Sequence, residues 1–477
     1  MEKPFIKLFH TPNSGYFYDV GKNEIIRIPE NVYQHLSCVI QDSAVLGQSD
    51  DKDVLEMINA FKDHGYLSTK RPIRIHHSAT DMVPLLLERC IDKITLQLTQ
   101  DCNFRCKYCV YSEDNNTKQR SHAPRTMSLE TAKEAVLFYR DHAVDAYMYN
   151  VGFYGGEPLL QWDLMKNVIL FAEKELVGKR LTFSITTNAS LLTDSVAAFL
   201  DEHNVNTTIS LDGIREVNDV NRVFRDGRGT FSSVLNNLKM IKRKYPRLYK
   251  GLFVSSVVDP AIDIASFGLY PEVLGDLPLN HFIVNIEDSG DHDTQLPIEL
   301  NCEIEKETIQ AFLAEFGLYS HPVKPFGINH VDQLLNRPSG LKSTVGISDI
   351  MAPSGPCIPG KSRLMVDING ALFPCERVNE TDENCIGSLK YGFDIEKAQR
   401  ILNVGSISEE MCKNCWALRL CTACIHRIEY ANENAASEKQ RFCKSIRMVA
   451  ETKIRGMILA YEFEKYYKKH LKRGNTI

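Results

Sequence analysis

In the stretch Asp101-Cys102-Asn103-Phe104-Arg105-Cys106-Lys107-Tyr108-Cys109, three cysteines have the spacing Cys-x3-Cys-x2-Cys. The preceding segment, Ile94-Thr95-Leu96-Gln97-Leu98-Thr99, alternates apolar and polar residues and predicts a β-strand. The cysteines therefore lie in a loop at the carboxyl end of a strand. Because a [4Fe–4S] cluster normally takes four cysteines, three thiolates would leave one iron open to a substrate or cofactor. Such spacings also suit tetrahedral zinc, and the loop alone leaves that alternative open.

A second motif, Phe153-Tyr154-Gly155-Gly156-Glu157-Pro158, follows another predicted strand. Together with the cysteine loop and the aromatic Tyr108, this motif resembles the radical S-adenosylmethionine (SAM) enzymes. The resemblance implies that the open iron chelates the amino and carboxylate groups of SAM, and that an electron from the cluster cleaves its sulfonium bond. It assigns the cluster to Cys102, Cys106 and Cys109, the SAM amino group to Gly155, Gly156 and Glu157, and the adenine to Tyr108.

The composition is that of an ordinary globular protein, with 43% hydrophobic and 25% charged residues in 477. A net charge of −5 indicates neither a nucleic-acid nor a membrane binder. The chain start lacks the pattern of a signal peptide and no apolar run is long enough to span a bilayer, so we expect a cytoplasmic location. Most of the fourteen cysteines are then expected to be metal ligands rather than disulfides, while the isolated Cys38, Cys90 and Cys302 are expected to be buried apolar residues.

Strands alternate with helices from residue 90 to 335, which predicts an α/β domain with a parallel sheet and right-handed crossovers. Helices are predicted at 129–142 and 159–175, among others. Six such units resemble the partial (β/α)6 TIM-like barrel of radical SAM enzymes, and in parallel barrels the chemistry gathers at the carboxyl ends of the strands. The predicted strands are 94–99, 149–154, 182–187, 206–211, 252–257 and 281–286.

The resemblance extends to the ends of later strands. Asn188 closes the third strand, where the family has a polar pair near the ribose of SAM, although Ala189 replaces the glycine that usually follows. Ser210 closes the fourth strand and matches a SAM-contacting polar position. Arg222 matches an arginine that faces the SAM carboxylate, a bidentate pairing suited to guanidinium.

Residues 1–75 predict a separate small domain with a hairpin, 16–20 and 24–28, followed by two helices. This order resembles the winged-helix-like domain that binds the leader of a precursor peptide by β-augmentation in peptide-modifying enzymes. A DNA-binding winged helix is the alternative. Residues 1–92 carry ten basic against thirteen acidic side chains, whereas phosphate binding needs a positive patch, so peptide recognition is favoured.

A second cysteine array lies in residues 350–445 and resembles the SPASM domain, which binds two auxiliary [4Fe–4S] clusters; structural zinc is the alternative. Residues 446–477 predict a terminal helix. An extra cysteine that some relatives place before the first ligand is absent, so either Cys385 is a fourth ligand or one cluster keeps an open iron. The resemblance implies Cys412, Cys415, Cys421 and Cys443 for one cluster, and Cys357, Cys375 and Cys424 for the other.

This combination of domains resembles the maturases of ribosomally made peptides. It implies that a 5′-deoxyadenosyl radical removes a hydrogen from a precursor peptide, with a flavodoxin or ferredoxin as electron donor. The auxiliary clusters would bind a thiolate or accept the second electron. The leading product is a thioether between a cysteine sulfur and a carbon of another residue.

Three alternatives remain open. A maturase that forms carbon–carbon crosslinks shares every motif above. An anaerobic sulfatase-maturating enzyme, which makes formylglycine, is suggested by Glu376, because sulfatase-maturating relatives carry an aspartate base after the cysteine matched by Cys375. Glu376 would then be catalytic. A non-enzymatic iron–sulfur sensor is disfavoured by Gly155-Gly156-Glu157, since a sensor has no need to chelate SAM.

Overall fold

The computed structural model describes residues 3–42, 44–109, 111, 122–258, 282–286, 298–321, 323, 331, 341–427 and 435–467. The chain forms two compact units. The first contains Met1–Thr80, Asp332–Pro356 and Leu402–Ile477, and the second contains Asp81–Val331 and Cys357–Ile401. The predicted 350–445 domain thus contributes to both units, and the predicted domain boundaries stay predictions.

The front of the first unit is an antiparallel sheet in the order β1 (Ile6–His10), β2 (Gly15–Asp19) and β3 (Glu24–Ile28). Helices α1 (Glu30–Ile40) and α2 (Lys52–Asp63) follow, and the Asp51 side chain caps α2. Apolar residues of β2, α1 and α2 share one buried core with those of β1 and β3. The predicted hairpin is confirmed, and β1 was not predicted.

The rest of the first unit holds a short parallel pair, β4 (Arg74–Ile75) with β11 (Ile350–Met351), and the helices α12 (Glu409–Lys413) and α13 (Ala435–Glu462). A single π-helical turn, Phe463–Tyr467, ends α13. The terminal helix therefore begins earlier than the predicted residue 446, and residues 468–477 lie outside the described residues.

The second unit contains one sheet of ten strands in the order β10-β9-β8-β7-β6-β5-β12-β13-β14-β15, of which the first seven are parallel. The six predicted strands are confirmed to within one residue, and β12 adds a seventh parallel strand from the C-terminal region. The bounds are β5 (Ile94–Thr99), β6 (Tyr149–Gly155), β7 (Leu181–Thr187), β8 (Val205–Ser210), β9 (Phe253–Val258), β10 (Phe282–Ile286), β12 (Leu364–Val366), β13 (Ala371–Phe373), β14 (Gly387–Ser388) and β15 (Gly392–Phe393).

Helices lie between the parallel strands in the connections that the structure describes, as the alternation predicted; residues 259–281, between β9 and β10, lie outside the described residues. The predicted helix at 129–142 is confirmed, and the one at 159–175 is a 3-10 turn followed by α5. The bounds are α3 (Val83–Arg89), α4 (Leu129–His142), α5 (Trp162–Glu175), α6 (Asp194–Glu202), α7 (Arg215–Asn221), α8 (Phe231–Lys244), α9 (Pro246–Lys250), α10 (Ile298–Glu315) and α11 (Ile395–Leu402).

One face of the parallel sheet is apolar and the other is polar, because successive side chains of a strand alternate. Leu96, Phe153 and Ile185 are buried on the apolar face. On the opposite face, a Cβ placed on Gly152 would lie 3.1 Å from Thr95 Oγ1 and 3.2 Å from Ser184 Oγ. We call this second surface the polar face.

No helix in the part of the chain that the structure describes is long and apolar enough to cross a membrane. Cys38 and Cys302 are exposed and Cys90 is half-buried. The expectation that these three cysteines are buried was therefore wrong.

Candidate active site

The cysteine loop, residues 102–109, lies at the carboxyl end of β5, as predicted. Cys102 and Cys106 are buried and Cys109 is half-buried. Burial raises the pKa of Cys102 well above its ordinary value and raises that of Cys106 to about 11, and charge on the neighbouring thiols contributes in both cases. Burial of these two thiols and the charge on their neighbours thus both disfavour the ionised form, whereas Arg222 acts in the opposite direction on Cys106.

The segment 221–225 holds the outer side of this loop. The Arg105 N–H donates to the Val223 carbonyl at 2.8 Å, and the Lys107 N–H donates to the Asn221 carbonyl at 3.1 Å. The rings of Phe104 and Phe224 stack edge to face with centroids 4.9 Å apart. The backbone of the cysteine loop is thus held in place by hydrogen bonds to the segment 221–225.

Gly155 and Gly156 lie directly against the entry to the cysteine loop. The Gly156 N–H donates to the Thr99 carbonyl at 2.8 Å, and Gly155 has φ +132°. A Cβ at Gly155 would overlap the Thr99 carbonyl oxygen, and one at Gly156 would overlap that of Asp101. Glycine is required here because two backbones touch, whatever ligand lies above them.

The Glu157 carboxylate is fully buried and joins the turn that follows β6 to the end of β7. It accepts hydrogen bonds from the Leu159 N–H at 3.0 Å, the Thr187 hydroxyl at 2.7 Å and the Asn188 N–H at 2.7 Å. Burial raises its pKa to about 7, although these hydrogen bonds act in the opposite direction. In this structure Glu157 positions the ends of β6 and β7.

Asn188 joins the end of β7 to the cysteine loop. Its Nδ2 donates to Asn103 Oδ1 at 2.8 Å and lies 3.9 Å from Cys102 Sγ. Its Oδ1 accepts from the Ser190 hydroxyl at 2.7 Å. Ala189, the departure from the family pattern, has φ +60°, a conformation that favours glycine.

Arg222 is buried beside the cysteine loop and pairs with Asp212. Its Nε lies 2.8 Å from Asp212 Oδ2, its Nη1 lies 3.9 Å from Cys106 Sγ, and its guanidinium lies 5.4 Å from the centre of the Tyr108 ring. The Tyr108 hydroxyl donates to the same Asp212 oxygen. Burial acts to lower the pKa of Arg222, but Asp212 and its other neighbours raise it well above the ordinary value. The sequence did not predict the role of Asp212.

Ser210 is half-buried at the end of β8, in register with Ser255 of β9. By the alternation of the strand it lies on the polar face. Its predicted contact with SAM stays a prediction.

In the first unit, four of the predicted auxiliary ligands converge: Cys412, Cys415, Cys421 and Cys443. We call them the four-cysteine group. Burial raises the pKa of Cys415 and Cys443, and raises that of Cys421 to about 12; charge on other members of the group adds to each shift. These mutual effects place the four cysteines in one region of the first unit, and their role as the ligands of one cluster stays a prediction.

The cysteines that the resemblance assigned to the other auxiliary cluster are divided between the two units. Cys357 is exposed, while Cys375 and Cys424 are half-buried. Cys357 and Cys375 belong to the second unit and Cys424 to the first, so this ligand set stays a prediction. The Cys385 thiol donates to the Gly387 carbonyl at 3.2 Å.

The structure places Glu376 far from the cysteine loop. Strand β13 runs antiparallel to β12, so Glu376 lies at the amino edge of the sheet, where it pairs with Arg363. Burial lowers the pKa of nearby Lys93, and the negative charge of the Glu376 carboxylate acts in the opposite direction. Because Lys93 precedes β5 and the cysteines follow it, Glu376 and the cysteine loop are at opposite ends of one strand.

A different carboxylate, Glu380, lies nearer to the polar face. Its Oε1 accepts from Gln97 Nε2 at 2.7 Å, and Gln97 also donates to the Tyr111 hydroxyl at 3.1 Å. Gln97 itself is fully buried on β5. Glu380 was not predicted as a site residue from the sequence. Its position in the same loop as Glu376 was the one feature that pointed to it.

The cysteine side chains of the two units fit an iron–sulfur cluster better than a single metal ion. Within the described ranges, no three His, Cys, Asp or Glu side chains are close enough to bind a single metal ion. A [4Fe–4S] cluster sets a different requirement, since each cysteine binds a different iron. Several thiols in a buried loop, with N–H donors aimed at their sulfurs, fit such a cluster: the Phe104 N–H lies 3.4 Å from Cys102 Sγ and the Ala423 N–H lies 3.5 Å from Cys421 Sγ.

Comparison with known proteins agrees with this chemistry. Residues 96–258 match the Radical SAM superfamily. These residues form a radical SAM domain. The protein is accordingly a radical SAM enzyme, and its cofactors are SAM and a [4Fe–4S] cluster, because the superfamily uses both.

Three relatives illustrate how far the similarity extends. The cysteine-type anaerobic sulfatase-maturating enzyme of Clostridium novyi is 24% identical over 75% of this chain and 93% of its own. The radical SAM cyclopropyl synthase TigE of Paramaledivibacter caminithermalis is 22% identical over 40% of this chain and 42% of its own. The uncharacterized protein MJ0907 of Methanocaldococcus jannaschii is 28% identical over 31% of this chain, and this chain spans only 48% of that relative.

Among solved structures, the fold is similar to native anSMEcpe with bound AdoMet, with a TM-score of 0.57 and 20% identity over 77% of this chain and 99% of that one. The complex of anSMEcpe with AdoMet and the Cp18Cys peptide gives a TM-score of 0.57 and 19% identity, over 78% and 99% of the two chains. At these identities the likeness shows a shared fold.

Proposed function

We propose that this radical SAM enzyme installs a thioether between a cysteine sulfur and a carbon of another residue in a ribosomally made precursor peptide. The Cys385 hydrogen bond is the observation that carries the proposal. The Cys385 Sγ lies 3.2 Å from the Gly387 carbonyl oxygen, so its thiol is oriented toward the backbone of the next strand, β14. That supports an open iron in the cluster assigned to Cys357, Cys375 and Cys424, and an open iron binds thiolates.

The residues around the cysteine loop would bind and orient the cofactor. When bound there, SAM and the cluster supply a 5′-deoxyadenosyl radical that removes a hydrogen atom from the peptide. The Arg222 guanidinium would bind the SAM carboxylate and the Asp212 carboxylate at the same time. Tyr108 would cover the adenine. A flavodoxin or ferredoxin would supply the electron.

Two further groups would handle the peptide. Glu380, held by Gln97, is the carboxylate best placed to accept the proton of a substrate thiol over the polar face. In the first unit, β3 is an edge strand of its sheet, the kind of strand that an extended leader peptide joins by β-augmentation. A cavity of about 530 Å³ borders this strand and could take a leader side chain; its lining includes Glu24, Ile25, Arg27, Leu341 and Tyr461.

Sulfatase maturation is a second candidate, favoured by the match to 93% of the Clostridium novyi enzyme. Two observations weaken it. That match leaves about a quarter of this chain without a counterpart. The residue that suggested it, Glu376, pairs with Arg363 at the amino edge of the sheet.

Product analysis distinguishes the candidates. The anaerobically reconstituted enzyme is incubated with SAM, dithionite and either a cysteine-rich precursor peptide or a sulfatase-derived peptide, and the products are examined by mass spectrometry. A thioether keeps the cysteine sulfur, removes two hydrogens and makes the sulfur inert to alkylation. Loss of sulfur from the sulfatase peptide would favour formylglycine formation, and a crosslink that leaves the cysteine alkylatable would favour carbon–carbon chemistry.

Leader binding has its own test. Tyr461→Ala removes an aromatic side chain from the cavity wall and is expected to weaken peptide binding about tenfold, measured by fluorescence anisotropy. Tyr391→Ala, at an exposed tyrosine of the second unit, is the matched control and should leave affinity unchanged. Equal affinity of the Tyr461→Ala variant and the native protein would place the leader elsewhere.

A further inference from the structure

Lys439 of α13 is buried against the four-cysteine group. It is 1% exposed. Its Nζ donates to Cys412 Sγ at 3.3 Å, to the Ser408 hydroxyl at 2.7 Å and to the Gly405 carbonyl at 3.2 Å. Ser408 Oγ also lies 3.5 Å from Cys412 Sγ. The ammonium group is thus held in place and aimed at one sulfur.

In the part of the chain that the structure describes, Lys439 has no carboxylate among its hydrogen-bond partners. Among the described residues, its three hydrogen-bond partners are a carbonyl oxygen, a hydroxyl and a sulfur. Apolar side chains of Val404 and Phe442 pack together in the same region. Burying an ammonium without an opposite charge is costly, and among the described groups that Lys439 contacts, the cysteine sulfur is the one that can carry a negative charge. Arg447 adds a second cation beside Cys415.

The cysteine loop has a different charge balance. Its buried cation, Arg222, lies 3.9 Å from Cys106 Sγ but is paired with Asp212. The cation and the carboxylate largely cancel there. A fixed positive charge stabilises a cluster more in its reduced, more negative state, and hydrogen bonds to cluster sulfurs act in the same direction.

We propose that Lys439 is the built-in counter-charge of the cluster bound by the four-cysteine group and raises its reduction potential. A higher potential suits this cluster to accept electrons. The inference rests on the auxiliary cluster of the proposed function but not on the kind of bond that the enzyme makes.

The test is a redox titration of the full-length protein, reconstituted anaerobically with iron and sulfide and followed by EPR. A Cys102→Ala/Cys106→Ala/Cys109→Ala background removes the signal of the SAM-binding cluster, and the signal of the four-cysteine group is the one that Cys421→Ala abolishes. In this background Lys439→Met should shift the midpoint potential to a more negative value. Lys439→Arg, which keeps the charge, should stay close to the parent.

Lys453→Met, which removes another lysine of the same helix, is the control and should leave the potential unchanged. Loss of the cluster in Lys439→Met that Lys439→Arg restores also supports the proposal, because the charge is then needed for binding. An unchanged potential with iron retained, an equal shift in Lys453→Met, loss in both Lys439 variants, or zinc in the parent would each overturn it. No SAM or peptide is present, so a failure to form thioethers does not affect this result.

Discussion

Gly155 and Gly156 show how one motif can combine a structural and a chemical requirement. The family resemblance links these glycines to SAM, whereas the structure places their Cα atoms against the backbone of Thr99 and Asp101. The contact fixes the cysteine loop relative to β6. A side chain at either position would displace the loop before any ligand is bound.

The first prediction concerns Gly155→Ala. Its Cβ would overlap the Thr99 carbonyl and its φ of +132° is accessible essentially only to glycine, so we expect a loss of about 3 kcal/mol or more in the free energy of unfolding. Gly178→Ala is the control: φ is +87°, but no atom lies within 4 Å of the new Cβ, so only about 1 kcal/mol should be lost. Urea unfolding measures both. Equal losses would mean that the contact with Thr99 does not matter.

The second prediction follows from Glu157. Its pKa is raised by burial from the ordinary 4.5 to about 7. Between these values the folded state keeps a proton that the unfolded state loses, so this group lowers the stability as pH rises. Relative to Glu157→Gln, the native protein should lose roughly 3 kcal/mol between pH 4.5 and 7. Denaturant titrations across this range measure the difference, and a constant difference would contradict the buried, protonated carboxyl.

Residue types and spacing were enough to predict the cysteine loop, because three thiols within eight residues must project from one loop. They were not enough for Glu376, Glu380 or Lys439. Whether an acid reaches the polar face depends on the direction of β13, and the partner of Lys439 lies in a different helix. No local pattern carries that information.

At the level of elements, most of the parallel strands were predictable because they contain regularly spaced apolar residues and alternate with helical segments in the sequence. β12 was not, since Leu364–Val366 is three residues long and too short to show a period. Its place is set by non-local pairing of Leu364 with Ile94 and of Val366 with Leu96. β1 was not predicted from the sequence, although all five of its residues pair with β2 in the structure.

The third prediction tests β12 as an integral strand of the sheet. Met365 is fully buried between β5 and β13, so Met365→Pro removes a ladder hydrogen bond and should cost at least about 3 kcal/mol of the free energy of unfolding. Met365→Leu keeps the volume and the N–H, and should cost less than about 1.5 kcal/mol. Thermal unfolding separates the two variants. Similar costs would show that the side chain, rather than the strand pairing, matters at this position.

On the scale of the whole molecule, both units carry cysteines arranged for iron–sulfur chemistry. The second unit holds the cysteine loop and the polar face, and the first holds the four-cysteine group and the edge strand β3. The spacing of the cysteines predicted the cysteine loop, whereas the four-cysteine group was implied by the family resemblance, and both ligand sets stay predictions. The sequence did not predict the division of the chain into units, because residues 357–401 join the sheet through contacts with β5, which is distant in sequence.

The central claim is that Cys102, Cys106 and Cys109 hold an under-ligated cluster that cleaves SAM. The most direct measurement is 5′-deoxyadenosine formed by anaerobically reconstituted enzyme with SAM and dithionite, in the native protein, in Cys106→Ala and in the control Cys90→Ala. The account predicts deoxyadenosine from the native protein and from Cys90→Ala, and none above background from Cys106→Ala. Deoxyadenosine formation that survives in Cys106→Ala, or its absence from iron-loaded native protein, would contradict the account.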